Sequence, residues 1–174
     1  MTQVFTPRID QWAARVRESF ARQGFMAHLG AQLVEVHPGR VVIETDHGPH
    51  LTQQHGFFHA GVSGALADSA GGYAGYTLFP ADSSVLTIEY KLNLLSPAQG
   101  DRLRAVGQVV RTGRTITFCE LQVFVRRDGA WHACATGQQT LMCLVGRADQ
   151  PAGDESARQA DLGSTRGSTA GPSS

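Results

Sequence analysis

Gln53-Gln54-His55-Gly56-Phe57-Phe58-His59-Ala60-Gly61-Val62-Ser63-Gly64-Ala65-Leu66-Ala67-Asp68-Ser69-Ala70-Gly71-Gly72-Tyr73-Ala74 is the stretch on which the fold of this chain turns. It enters through a histidine-bearing loop and runs on for about nineteen residues, to Leu78, with Asp68 as its one charge. A segment so long and so uncharged reads as a buried helix. A carboxylate alone in such a segment is costly to desolvate unless partners offset the cost. Such a group usually has a specific task, and here the task that fits is the activation of water.

On the N-terminal side, Ile9, Trp12, Ala13, Val16 and Phe20 recur at helical spacing, which predicts an amphipathic helix over Arg8–Gln23 that stops at Gly24. Gln32–Val36 and Val41–Glu44 flank Pro38-Gly39 and read as a hairpin. Beyond Pro80 the pattern changes to strands: Val85–Leu95, Arg102–Arg111, Thr115–Arg127 and Trp131–Leu144, the last two joined by Asp128-Gly129. Thr117, Cys119, Leu121, Val123 and Val125 form the better core face of the third of these strands. Turns that short join only antiparallel neighbours. A single antiparallel sheet has one face to cover, and the Ala/Gly-rich helix is its cover, its glycines allowing close approach. The expected architecture is α+β: a helical segment over 1–28, a domain over 29–146 in which about six antiparallel strands wrap a long central helix, and a disordered tail over 147–174, rich in Gly, Ser and Thr.

The 174 residues suffice for one core, and acidic and basic residues balance at 15 each. That balance supplies no field for nucleic acid or an anionic membrane. Cys119, Cys134 and Cys143 are odd in number and lack CxxC spacing, which argues against a disulfide framework or thiolate zinc site and fits a reducing cytoplasm. No secretory signal is legible after Met1, and Asp68 near the middle of Ala60–Leu78 argues against a membrane span. His47, His50, His55 and His59 cluster within thirteen residues, but their spacing matches no helical metal pair, so no metal site and no cofactor is expected.

The pattern resembles the hotdog fold, and more narrowly the PaaI-like acyl-CoA thioesterases. The family's His-Gly-Gly turn and the Leu-Ala-Asp nine residues beyond the histidine are matched by His59-Ala60-Gly61 and Leu66-Ala67-Asp68. The strand ending Leu95-Ser96-Pro97-Ala98 and the segment Arg111-Thr112-Gly113-Arg114-Thr115 match further elements, in order, over about residues 30–144. The resemblance implies Asp68 as general base or nucleophile, the Ala60 N–H as oxyanion donor, and His59 as the group that holds or polarises the thioester carbonyl. It implies a water-assisting hydroxyl at Thr87 and an amide at Gln53, where the family often has Asn. Ala60 in place of Gly keeps the N–H but narrows the backbone and the acyl room.

The first N–H groups of a helix are unpaired and carry the positive end of its dipole, so Ala60 and Gly61 are placed to receive an oxyanion. Asp68 lies about eight residues on, roughly 12 Å along a helix rising ~1.5 Å per residue. One chain cannot bring both groups to one carbonyl. A productive site therefore takes Asp68 from one subunit and the helix start from another. The resemblance agrees, implying a homodimer with shared sites, or a dimer of dimers. For the CoA phosphates the cations at hand are Lys91, Arg102, Arg104, Arg111 and Arg114, with Arg114 first; Phe57, Phe58, Leu66 and Tyr73 are candidates for the acyl pocket.

Each residue also has a plainer reading: Asp68 as a partnered carboxylate at a dimer seam, His59 as a helix cap, Gln53 and Thr87 as loop and strand polar groups, the cations as a solvated strand face. Two other functions compete with hydrolysis of small, medium-chain or aryl acyl-CoA thioesters. One is a non-catalytic acyl-CoA sensor; the other is an enoyl-CoA hydratase or dehydratase, against which the Leu-Ala-Asp helix argues.

Overall fold

The computed structural model describes residues 4–147 and 149, so the tail expected over 147–174 lies, but for Arg147 and Asp149, outside the described residues. Strands β1 (Gln32–His37) and β2 (Arg40–Asp46) form the hairpin read around Pro38-Gly39, with Gly39 at φ +74°, a conformation that favours glycine. Helix α3 (Ala60–Tyr76) follows, then β3 (Ser83–Leu94), β4 (Arg102–Thr112), β5 (Ile116–Arg127) and β6 (Ala130–Val145). Asp128 and Gly129 both take positive φ, the twist a two-residue hairpin turn requires.

All pairings are antiparallel, in the order β1-β2-β4-β5-β6-β3. Strand β3 thus sits at the sheet edge beside β6, and the chain crosses back to the middle of the sheet through residues 95–101 to begin β4. The sheet wraps α3, giving the α+β hotdog architecture. The core side of β5 is the set Thr117, Cys119, Leu121, Val123 and Val125, as its alternation required. Each large aliphatic side chain buried here contributes about 2 kcal/mol.

Close packing explains Gly71 and Gly75 of α3 and Gly107 of the strand the helix lies on. A Cβ on Gly107 of β4 would sit 2.3 Å from backbone atoms of Ala70 and Gly71, so helix and sheet meet backbone to backbone. From Val62 to Tyr76 every residue of α3 is buried except Ala65, Asp68 and Ser69. Those three lie at helical neighbour spacing and form the one open stripe of the helix. Leu66 and Tyr73 are buried in the core.

The N-terminal segment departs from its expected form. Helix α1 spans Trp12–Ala21, and Gly24 does not end the helical run but opens a second short helix, α2 (Gly24–His28). The break lets Met26 enter the core while Phe25 stays 60% exposed. Arg15 fastens α1 to the domain: its guanidinium lies 4.0 Å over the Tyr76 ring and donates to the carbonyls of Tyr76, Phe79, Pro80 and Ala81. A cation there satisfies free carbonyls at the helix C-terminus and complements its dipole. Among the described residues no helix is long and apolar enough to cross a membrane.

Candidate active site

Asp68 is half-buried on the open stripe of α3 and is held through one oxygen. Its Oδ1 accepts from Thr87 Oγ1 at 2.8 Å and from Gln139 Nε2 at 2.6 Å. Oδ2 takes no hydrogen bond among the described residues. Thr87 faces the carboxylate in step with Val85, and a bulge at Ile88 shifts the phase of β3 just beyond it. Val85 and Thr87 face the helix before the bulge, and Tyr90 and Leu92 face it after. Bulges re-aim side chains in this way beside functional sites.

The start of α3 is built differently. His59 is its N-cap: the backbone N–H donates to Leu51 at 2.8 Å, and Nδ1 accepts the N–H of Gly61 at 2.9 Å. An imidazole accepting at Nδ1 carries its proton on Nε2, which leaves an N–H donor facing outward. Gly61's amide is therefore committed to the cap, and Val62's to the carbonyl of His59. Ala60's N–H has no acceptor among the described residues, so of the two amides expected to receive an oxyanion it is the available one. Gln53 shapes the loop before it, accepting from the His55 N–H through its side chain and donating its own N–H to Phe57 at 2.9 Å.

These groups open into two separate clefts. One, of about 410 Å³, is lined by Gln23, Phe25, Met26, Ala65, Asp68 and Tyr90 among others. The other, of about 360 Å³ and mostly apolar, is lined by Gln53, Phe57, Phe58, Ala60, Leu94 and Pro97 among others. Asp68 lines the first cleft, with Gly61 of the first turn at its edge, whereas Ala60 and Gln53 line the second; Thr87 supports Asp68 from β3 without lining either.

A family model described as Thioesterase superfamily matches residues 55–131. A thioesterase family protein of Silicibacter pomeroyi, known from a crystal structure, is 46% identical, with a TM-score of 0.77, covering 78% of this chain and 99% of that one. The chain belongs to the thioesterase superfamily. The 1,4-dihydroxy-2-naphthoyl-CoA hydrolase of Listeria monocytogenes is 24% identical over 100 residues, 58% of this chain and 81% of that protein. The E. coli PaaI protein from the phenylacetic acid degradation operon, 17% identical with a TM-score of 0.70 over 79% of this chain and 96% of that one, shares the fold.

Not every residue picked from the sequence reaches one of these clefts. Tyr73 lines neither; its hydroxyl is bound by Ser19 and Gln23, and burial pushes its pKa up, keeping it a neutral tie between α3 and α1. Arg102 is paired with Asp46 and Glu44, and Arg104 with Glu44 beneath the Trp131 ring, which occupies both. Lys91, Arg111 and Arg114 are exposed and make no ion pair among the described residues. His47 bonds the carbonyl of Gly56 and lies edge-on to Phe58, while His50 lies edge-on to His28. Among the described residues no three His, Cys, Asp or Glu side chains group as metal ligands.

Two contributions escaped the sequence reading. Gln23, Phe25 and Met26 bring the N-terminal segment to the mouth of Asp68, a tertiary placement with no local signal. Gln139 did carry a signal: alternation along β6 puts it on the side of Leu141 and Cys143, where an amide requires a partner.

Proposed function

We propose that this thioesterase hydrolyses small, medium-chain or aryl acyl-CoA thioesters to free acid and CoA, in a homodimer whose sites lie between subunits. The observation that carries it is the division of one helix into two half-sites. A free N–H waits at the start of α3 and a one-sided carboxylate lies about two turns along, each in its own cleft. Pairing the helix start of one copy with Asp68 of the other completes the set. The edge strand β3 supports such pairing: Leu86, Ile88, Tyr90 and Leu94 leave apolar surface along a strand twelve residues long whose outer edge is free among the described residues. An edge of that kind is a template for a second chain.

In this reading the thioester oxygen rests on the Ala60 N–H of one subunit, with the His59 Nε2–H beside it and Gln53 at the same cleft. Water sits against Oδ2 of the other subunit's Asp68. As the water oxygen bonds to the carbonyl carbon its proton passes to Oδ2, and the charge that develops on the carbonyl oxygen is met by the helix start. Collapse breaks the C–S bond, and the proton held by Asp68 follows the CoA thiolate. The unpaired Lys91 and Arg114 are the cations we assign to the CoA phosphates. Phe57 and Phe58 wall the cleft for the acyl group, and an aryl acid is the kind of product suggested by the Listeria relative's name.

The test is thiol release from a panel of acyl-CoAs by wild type, Asp68→Asn and Ala60→Pro. Proline suits the first position of a helix and removes only the N–H in question. Each variant alone should lose at least about a hundredfold in turnover. Mixed and re-associated, they should recover roughly a quarter of wild-type activity, because half the dimers are hybrids with one intact site of two. No recovery from stable hybrids would sink the shared site, and no turnover by wild type on any thioester would sink hydrolysis.

A further inference from the structure

We propose that Gln139 is the positioning residue for Asp68, and that Gly71 is glycine to admit it; this rests on the hydrolytic reading above. Gln139 is 2% exposed, on the inward side of β6. Its amide nitrogen lies 2.6 Å from Asp68 Oδ1, 3.1 Å from the Asp68 carbonyl and 3.1 Å from Thr87 Oγ1. One side chain thus touches the carboxylate, the helix that bears it and the hydroxyl that shares it.

With Thr87 it engages Oδ1 from the sheet side, which leaves Oδ2 as the oxygen free to take a proton from water. The arrangement has a cost. The amide oxygen of Gln139 is buried without a partner, a state that costs a fold roughly 1–3 kcal/mol. It also demands a gap in α3: a Cβ on Gly71 would lie 1.9 Å from that oxygen, nearer than the 2.7 Å to Leu121 Cδ2, which the same gap admits. A sequence that accepts both an orphaned acceptor and a helix-weakening glycine at one contact departs from what stability favours. Such departures gather at functional sites. A leucine of similar size would fill the space with no orphan, so packing does not account for the amide.

The experiment compares Gln139→Leu, Gln139→Glu and Gly71→Ala with wild type. For Gln139→Leu we expect kcat to fall roughly 10- to 100-fold with KM within about twofold, as misplacing a reacting group does. The melting temperature should be no lower, because the orphaned acceptor is gone. Gln139→Glu sets a second carboxyl against Asp68, and two carboxyls so close share a proton, so the acid limb of the pH–rate profile should move to higher pH. Gly71→Ala should lower kcat by displacing the amide, with Asp68 untouched.

Wild-type kcat in Gln139→Leu, or a rise in KM together with falls in stability and kcat, overturns the proposal. Should Gln139→Leu fail to fold, an unmoved acid limb in Gln139→Glu overturns it. A dead Asp68→Asn beside a fully active Gln139→Leu leaves hydrolysis standing and removes only the positioning role. Were wild type to turn over no thioester, hydrolysis falls, and crystal structures decide positioning: an Asp68 carboxylate aimed identically in wild type and Gln139→Leu overturns it.

Discussion

His59 Nδ1 accepts the N–H of Gly61 at 2.9 Å, so the residue that precedes α3 also closes its first turn. Capping and carbonyl contact are different jobs for the two ring nitrogens, and they come apart on substitution. His59→Ala removes the cap and should cost about 1 kcal/mol of stability. His59→Asn restores a capping oxygen without a donor where Nε2–H stands. Its melting temperature should match wild type while kcat/KM stays roughly tenfold or more down. Full activity in His59→Asn would reduce His59 to a cap.

Ile88, at the bulge of β3, is half-exposed on the free edge of the sheet. A charge there opposes pairing with a second copy. On the proposed shared site, Ile88→Lys should sediment as a monomer with native circular dichroism and lose at least about a hundredfold in turnover, the half-sites being kept apart. A monomer that keeps its turnover would refute the shared site.

The glycines of this fold are not equivalent. At Gly107 a Cβ would strike helix backbone at 2.3 Å, whereas at Gly72 it would meet nothing within 4 Å. Gly107→Ala should therefore lose about 3 kcal/mol. Gly72→Ala should gain about 1 kcal/mol through helix propensity. Urea midpoints of the two variants against wild type measure both, and equal shifts would contradict the packing described.

Burial pushes the Cys119 thiol up to about 12 and that of Cys134 to about 11, and Cys143 is buried as well. The thiolate is the reactive form, so the native protein should not react with a disulfide dye at neutral pH, whereas denatured protein should titrate three thiols. Rapid native labelling would show that the core opens on the assay timescale.

The order of elements was legible because each is written in a local period. Pro38-Gly39 and Asp128-Gly129 mark their turns, and the alternation of Thr117–Val125 names its core face. Asp68 stood out because a lone charge in an apolar helix is conspicuous on any reading. Thr87 was picked through resemblance; alternation with Val85 turns it inward, but nothing in β3 by itself says that Asp68 is what it meets. Tyr73 was misplaced because an aromatic residue on a buried helix looks alike whether it faces a pocket or another helix.

By itself, then, the sequence determined the helix, its wrapping sheet and the lone carboxylate in that helix, since periodicity and burial cost are properties of the chain read in order. Tertiary structure alone decided which oxygen of Asp68 is left free, which amide of the helix start is available, and that Gln139 and the α1–α2 segment attend the carboxylate. Those are contacts between residues as far as 71 positions apart, and hydrogen bonds are satisfied in space, where chain order has no say.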